Sequence, residues 1–139
     1  MYTIMPYTHV DTHALETLYR SVGWVCYLRR PNLLEEAFAH SLKVLAAYED
    51  EQLIGIIRAV GDGVSILYIQ DLLVHPDHQR KGIGTRLLNE MLRAFPDVNQ
   101  TVLITDDADE TIIFYEAAGF RKVQQVGCCS FIRLHECYQ

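Results

Sequence analysis

Residues 79–84 read Gln79-Arg80-Lys81-Gly82-Ile83-Gly84, and they join a β-rich run to an apolar helical pattern. At such a junction the unpaired N–H groups of the first helical turn and the helix dipole favour an anion. Glycine permits backbone angles that other residues avoid and lets a phosphate approach closely. Positive charge is added by Arg80, Lys81 and Arg86. The segment therefore predicts a site for a phosphate-bearing cofactor.

Two nucleotide-binding patterns are excluded at this glycine-rich segment. A P-loop ends in Gly-Lys-Ser/Thr, and a dinucleotide fingerprint needs a third glycine or alanine where Leu87 stands. A Gly-x-Gly turn before a helix also serves often as a tight connection without a ligand. The surrounding sequence has to decide between a turn and a binding site.

Two helices are predicted near the start of the chain. Asp11 caps the first, which runs toward Gly23 with apolar residues at three-to-four spacing. Asn32 and Glu35 approximate a capping box in its Asn variant. The short second helix that follows has an apolar face of Leu34, Phe38 and Leu42.

The rest of the chain alternates β-rich runs with helical patterns. One helix begins at Ile83 and ends before Pro96, and another is capped by the acidic residues 106–109 and closes at Gly119. Strands are predicted at residues 43–49, 53–60, 64–74, 101–105, 120–126 and 129–134. We expect an α+β (α/β layered) fold, with a mixed sheet of about six to seven strands and about four flanking helices.

Length and composition indicate one domain, residues 1–139. Half of the residues are hydrophobic, which suffices for one sizeable core. The net charge of −6 opposes a nucleic-acid or anionic-membrane surface, since both would be repelled. No signal-type or membrane-spanning run occurs in the sequence, so a cytoplasmic location is predicted.

Cysteines and histidines do not indicate a metal site. Cys26, Cys128, Cys129 and Cys137 lack Cys-x-x-Cys spacing and are interpreted as free thiols. The pair His75 and His78 has no further ligand pair nearby and is interpreted as part of a loop. The acidic run 106–110 lacks the alternation of a calcium loop and is explained by stabilisation at a helix start.

The quoted loop resembles the Gln/Arg-x-x-Gly-x-Gly/Ala signature of the GNAT acetyltransferase superfamily. Upstream, residues 72–76 have the Leu-x-Val-x-Pro character of that family's preceding strand. Downstream, residues 114–120 resemble its late Phe-Tyr-x-x-x-Gly-Phe helix end. The likeness covers about residues 40–127. A narrower likeness, at residues 27–41, 70–71 and 106–120, is to small bacterial members and the serotonin (arylalkylamine) N-acetyltransferase-like branch.

This resemblance implies acetyl-CoA as co-substrate and no metal. In the family, acetyl-CoA binds where two central strands splay apart, and the pantetheine arm lies along the exposed strand. The residues implied for the pantetheine arm are Leu73 and Val74. Leu72 is implied as a further cofactor-binding residue, with a backbone N–H near Leu72 or Leu73 as the donor to the thioester carbonyl. The residues implied for the pyrophosphate are Gln79, Arg80, Lys81, Gly82, Ile83, Gly84 and Thr85.

Two catalytic residues are candidates. Tyr115 matches the family tyrosine near the thioester sulfur, a general acid, although an aromatic residue at helical spacing is also typical of a core. The usual glutamate, six residues before Val74, is replaced by Tyr68. Asp71 is then the candidate base, because a carboxylate within an apolar strand needs a use or a partner. Structural pairing of Asp71, with solvent taking the proton, is the alternative.

The acceptor is the least defined part of the prediction. Gln70 is a candidate for orienting substrate or water, and Trp24, Tyr27 and Tyr68 for lining the acceptor pocket, although aromatic residues also dominate cores. We predict an N-acetyltransferase for a primary amine, with small-molecule amines favoured, acting by direct attack in a ternary complex. The alternatives are a protein lysine or N-terminal acetyltransferase and an acyl-CoA-binding regulatory module. A homodimer is possible by resemblance.

Overall fold

The computed structural model describes residues 1–135, which pack as two compact units. The first unit, Met1–Leu103, contains the whole sheet, and the second begins at Ile104. Cys137, one of the four cysteines discussed above, lies outside the described residues. The cysteines within residues 1–135 are free thiols.

The sheet is mixed, as predicted, and its five strands lie in the order β1-β2-β3-β4-β5. The first four strands pair antiparallel and β5 pairs parallel with β4. A parallel neighbour requires a crossover, and the helix that follows β4 provides it. The strands are Thr3–Pro6, Lys43–Glu49, Gln52–Val60, Ile66–Val74 and Gln100–Leu103.

Four α-helices accompany the sheet, and no helix within residues 1–135 is both long and apolar enough to cross a membrane. In order, α1 to α4 are Thr12–Ser21, Leu33–Ala39, Ile83–Ala94 and Asp109–Ala117. The predicted cap of α1 is confirmed, since the Asp11 carboxylate accepts from the N–H of Ala14 at 3.1 Å. The predicted capping box of α2 is wrong, because Asn32 has φ +62° and makes no capping bond through its side chain.

Both faces of the sheet in the first unit carry helices. Leu15, Leu18 and Tyr19 of α1 are buried in one cluster with residues of α2 and with Ile56 of β3. Gly55, the residue before Ile56 in β3, lies on the other face of the sheet, because successive strand residues point in opposite directions. There a Cβ on Gly55 would stand 3.2 Å from Leu87 of α3. Glycine thus lets α3 approach the strand closely.

The predicted strand set needs three corrections. β1 was missed, because four residues at the chain start form a strand only by pairing with β2, some forty residues away. The predicted strands 120–126 and 129–134 are absent from the described residues. In the first of these, Val123–Val126 is a 3₁₀ helix that ends at Gly127 with φ +81°. A β-rich composition cannot form a strand unless another strand accepts its hydrogen bonds.

The connection into β4 sets the register of that strand. The Asp62 carboxylate accepts from the N–H groups of Val64, Ser65 and Ile66, so the strand begins at Ile66 rather than at residue 64. Further along, Arg58 pairs with Asp71 but its neighbour Ala59 pairs with Ile69. Gln70 is therefore an extra residue on β4, a β-bulge, which re-aims the neighbouring side chains.

Candidate functional site

The glycine-rich loop leads directly into the start of α3. A short 3₁₀ helix, Pro76–His78, follows β4, and Gly82 is the residue before the first turn of α3. Gly82 has φ +81°, which favours glycine, and a Cβ there would meet no atom within 4 Å. No side chain caps this helix start, and no acidic residue lies in its first turn.

The helix start therefore presents donors and positive charge. The N–H groups of Ile83, Gly84 and Thr85 have no partner within the helix, because the first turn of an α-helix leaves its donors unpaired. Lys81 is exposed beside them. The Arg86 guanidinium, one turn further on, lies 5.2 Å from the centre of the Tyr2 ring. Such a helix start is suited to an anion such as a phosphate.

An open strand edge leads up to this loop. The parallel pairing of β4 with β5 ends at Ile69 and Leu103, so residues 70–74 pair with no strand on that side among the described residues. The Gln79 amide donates to the Val74 carbonyl at 2.9 Å. Leu73 is buried, whereas Leu72 and Val74 are half-buried. The predicted cofactor residues Leu72, Leu73 and Val74 thus lie on an edge of β4 that pairs with no other strand among the described residues.

Asp71 lies inside the protein at the centre of a polar cluster. Its side chain is only 2% exposed. One carboxylate oxygen accepts from Arg58 Nε at 2.8 Å and from the Tyr19 hydroxyl at 2.9 Å. The other accepts from the Tyr27 hydroxyl at 2.6 Å. Asp71 is therefore an ion-paired, hydrogen-bonded carboxylate and not an isolated one.

The two tyrosines of this cluster stay protonated. Burial first, and then the negative charge of Asp71, raises the pKa of Tyr19 well above its ordinary value. The same causes raise the pKa of Tyr27. Each hydroxyl therefore acts as a donor toward Asp71 at neutral pH.

Of the four predicted acceptor residues, Tyr27 and Gln70 are connected to Asp71 by hydrogen bonds, and Trp24 and Tyr68 lie elsewhere. Tyr27 joins the Asp71 cluster, and the Gln70 amide donates to the Tyr27 hydroxyl at 3.3 Å. Trp24 is 37% exposed, and its ring centre lies 6.0 Å from that of Tyr19. Tyr68 is half-buried and lies opposite Val102 of β5.

The second unit, considered by itself, carries Tyr115 on α4. Burial first, and then Asp106, raises the pKa of Tyr115 to about 12. Its ring packs edge-on against Phe114 and Phe120, with centres 5.0 and 5.8 Å away. The phenol therefore retains its proton at neutral pH, which a general acid requires.

Sequence reasoning missed Arg58 and Tyr19. A signal for Arg58 was present, since it is a lone charge in an apolar strand, as Asp71 is in the next strand. Two lone charges of opposite sign in neighbouring buried strands favour pairing. Tyr19 gave no such signal, because its spacing fits an ordinary core position on α1.

Histidines close to the loop are held by local contacts. His75 Nδ1 accepts from the N–H of Asp77 at 3.1 Å, and His78 Nδ1 lies 3.4 Å from a Glu49 carboxylate oxygen. Within residues 1–135 no three His, Cys, Asp or Glu side chains are grouped as a metal site requires.

An uncapped helix start beside an open strand edge is suited to a phosphate-bearing, chain-like cofactor. Residues 40–122 match the acetyltransferase (GNAT) domain family. A GNAT family acetyltransferase from Streptococcus pneumoniae TIGR4 superposes with a TM-score of 0.87 at 34% identity, covering 98% of this chain and 99% of that one. The chain belongs to the GNAT acetyltransferase family, has its fold and is an acyltransferase.

Two curated relatives are longer proteins that match this chain over only part of their length. An uncharacterised ycf52-like N-acetyltransferase of Prochlorococcus marinus is 32% identical over 88% of this chain and 69% of its own length. A soybean (Glycine max) histone acetyltransferase is 30% identical over 80% of this chain and 52% of its own length. The chain thus spans about two thirds of the first relative and half of the second.

Proposed function

We propose that this protein transfers an acetyl group from acetyl-CoA to a primary amine by direct attack in a ternary complex, with small-molecule amines favoured. One observation carries the proposal: the uncapped start of α3 follows directly on the open edge of β4. A pyrophosphate fits the first feature and a pantetheine arm, which can bond like an added strand, fits the second.

The acetyl-CoA site is formed by backbone groups more than by side chains. We assign the pantetheine arm to Leu73 and Val74, and Leu72 to the same acetyl-CoA site. This edge of β4 pairs with no strand among the described residues. The Gln79 amide already holds the Val74 carbonyl, which fixes the end of this edge relative to the loop. The pyrophosphate is assigned to the loop and first helical turn, through Gln79, Arg80, Lys81, Gly82, Ile83, Gly84 and Thr85.

The chemistry joins nitrogen to carbon and releases a thiol. The neutral amine attacks the thioester carbonyl carbon, a C–N bond forms and the C–S bond breaks. A backbone N–H near Leu72 or Leu73 is suited to stabilise the carbonyl oxygen as it gains charge. We assign Tyr115 as the acid that gives its proton to the departing sulfur, because its raised pKa keeps that proton available.

The base is assigned to solvent and not to Asp71. The proposal of Asp71 as base rested on a lone carboxylate in an apolar strand. Three donors hold that carboxylate, and one of them, Arg58 Nε at 2.8 Å, belongs to a positively charged guanidinium. Both carboxylate oxygens of Asp71 are therefore already engaged with donors of the protein. Water at the exposed Gln70 side is the better route for the amine proton.

The test is turnover measured as thiol release from acetyl-CoA, with arylalkylamines, polyamines, amino sugars and lysine peptides as acceptors. Tyr115→Phe is expected to lower kcat by about 100-fold and to leave acetyl-CoA affinity, measured by calorimetry, unchanged. Tyr48→Phe is the matched control, since burial also raises the pKa of the half-buried Tyr48. Unchanged kcat in Tyr115→Phe removes that residue as the acid, and a wild type that does not bind acetyl-CoA would sink the proposal.

A second candidate is an acyl-CoA-binding regulatory module without turnover. The Arg58–Asp71 ion pair favours it, because that pair removes the only carboxylate proposed as base. Binding of acetyl-CoA with no thiol release for any acceptor would select this candidate. Turnover with lysine peptides alone would select a protein acetyltransferase, the activity that the soybean relative's name states.

The organisation of the chain supports a single acetyltransferase domain, since the family match at residues 40–122 runs across both compact units. A kinship to the serotonin N-acetyltransferase-like branch, a homodimer and a cytoplasmic location stay predictions from the sequence.

A further inference from the structure

The cluster around Asp71 runs from the interior of the first unit to its surface. Tyr19 and Asp71 are buried, Tyr27 is half-buried and Gln70 is exposed. Each is joined to the next by a hydrogen bond of 2.6 to 3.3 Å. A chain of this kind transmits polarisation from a buried charge to a surface group.

Arg58 anchors the inner end of this chain. Its Nε donates to Asp71, its Nη1 donates to the Ser41 hydroxyl at 3.3 Å, and its guanidinium lies 5.4 Å from the centre of the Phe38 ring. Hydrogen bonds thus hold the edge of the guanidinium, and the Phe38 ring covers its face. The charge of Arg58 is compensated inside the protein by the Asp71 carboxylate, which the ion pair holds in place.

Tyr27 is the point where the cluster reaches the surface. Its hydroxyl donates a hydrogen bond to the Asp71 carboxylate at 2.6 Å, the shortest bond of the cluster. A phenol that donates to a carboxylate carries more negative charge on its own oxygen, which therefore accepts hydrogen bonds more strongly. The Gln70 amide already uses this acceptor, and the bulge at Gln70 sets that side chain beside it.

Gln70 adds a second acceptor of the same kind. Its amide nitrogen donates to Tyr27, which leaves its carbonyl oxygen available at the exposed end of the cluster. Two neutral oxygens side by side suit the N–H groups of a primary amine. A free carboxylate there would instead bind the ammonium form tightly and keep it protonated, which would oppose attack on a thioester.

We propose that the Tyr27 hydroxyl and the Gln70 carbonyl bind the N–H groups of the acceptor amine, and that Asp71 and Arg58 are positioning residues that orient and polarise Tyr27. This inference rests on the proposed function, because it names the acceptor side of the same reaction. Tyr27 and Gln70 touch the substrate in it, whereas Asp71 and Arg58 act through Tyr27.

The test separates amine binding from proton transfer by steady-state kinetics. Tyr27→Phe is expected to raise the KM for the amine about tenfold and to leave the KM for acetyl-CoA and kcat little changed. Asp71→Asn is also expected to raise the KM for the amine. The ascending limb of its pH profile of kcat should stay at the same pH as in the wild type. If Asp71→Asn instead abolishes kcat and removes that limb at unchanged amine KM, Asp71 is the base and the inference is overturned.

Tyr19→Phe is the matched control. It also removes one hydrogen bond to Asp71, but Tyr19 is fully buried and does not reach the surface. This variant is expected to lower the urea midpoint and to leave the amine KM unchanged. An equal rise in amine KM in Tyr19→Phe and Tyr27→Phe would mean that only packing had been disturbed, which contradicts a direct contact at Tyr27.

A second readout does not depend on turnover. The chain has a single tryptophan, Trp24, three residues from Tyr27 and partly exposed. Titrating the same amines into protein saturated with CoA should change its fluorescence, with about tenfold weaker binding in Tyr27→Phe. A wild type that responds to amines but releases no thiol would refute the proposed function and support this inference. A wild type that responds to no amine of the panel overturns the inference.

Discussion

Two polar regions of the first unit differ in where their hydrogen bonds go. In the Asp71 cluster, the charged groups of Arg58 and Asp71 meet inside the protein, and no buried side-chain N or O atom in residues 1–135 lacks a partner. At the start of α3, backbone donors are left without a partner in the helix. A satisfied polar cluster can position other groups, whereas unpaired backbone donors at a helix start are suited to an anionic ligand.

The same contrast separates two cations. Arg58 is buried and its charge is compensated within the sheet, while Lys81 is exposed beside the helix start. Removal of Arg58 should therefore act on folding stability, and removal of Lys81 on ligand affinity. The four predictions that follow test this separation.

The largest effect is expected for Arg58→Leu, which leaves the buried Asp71 carboxylate without its counter-charge. We expect a loss of about 3–5 kcal/mol in the free energy of unfolding, measured by urea denaturation. In the double variant Arg58→Leu/Asp71→Leu both charges are gone, and at least half of that loss should be recovered. A double variant that is as unstable as the sum of the two single variants would contradict the pairing.

The next effect is expected for Gly82→Ala. A Cβ at φ +81° is strained and also stands where the proposed pyrophosphate site lies, so acetyl-CoA should bind about tenfold more weakly by calorimetry. Gly127→Ala is the matched control, because Gly127 has the same φ of +81° and equally open space. Equal losses of affinity in both variants would show that strain alone, and not the loop, is responsible.

A loss of folding stability at alkaline pH, of intermediate size, is expected from the Asp71 cluster. Folding raises the pKa values of Tyr19 and Tyr27 above the ordinary 10.0, so the folded state holds those protons more tightly than the unfolded state. The resulting stability is fully present below about pH 10 and is lost as the pH rises toward the folded values. Urea unfolding from about pH 8 to about pH 11 should show this loss, and Tyr27→Phe should show less of it. If the free energy of unfolding of the wild type and of Tyr27→Phe depends on pH identically, the raised pKa does not belong to Tyr27.

The smallest effect is expected for Lys81→Gln. An exposed cation beside the proposed pyrophosphate site contributes a screened attraction, so affinity for acetyl-CoA should fall only about two- to fivefold. The salt dependence of binding should become weaker, while the urea midpoint stays within error of the wild type. A shift of the urea midpoint with unchanged affinity would place Lys81 in the structural region instead.

Local signals in the sequence were enough for part of this molecule. The cap at Asp11, the helix that starts at Ile83 and the glycine-rich loop each depend on residues within one or two turns of chain. The structure has all three, with Asp11 bonded to Ala14 and Gly82 at positive φ. Such features are predictable because capping and glycine geometry act over a few residues.

Features that depend on distant partners were not predictable in the same way. β1 exists only through pairing with β2, and residues 129–134 are β-rich yet form no strand within the described chain. Asp71 was recognised as unusual, but its role could not be inferred without its partners, Arg58 at 13 residues and Tyr19 at 52 residues along the chain.

The sequence by itself determined the family motif, the glycine-rich loop proposed for the pyrophosphate and the candidate acid Tyr115, because these reside in short contiguous segments. Only the tertiary structure decided that Asp71 is ion-paired and that Tyr27 and Gln70 reach the surface beside each other. The physical reason is that a side chain's charge and proton affinity depend on what surrounds it in space. Those surroundings come from segments that the linear sequence keeps far apart.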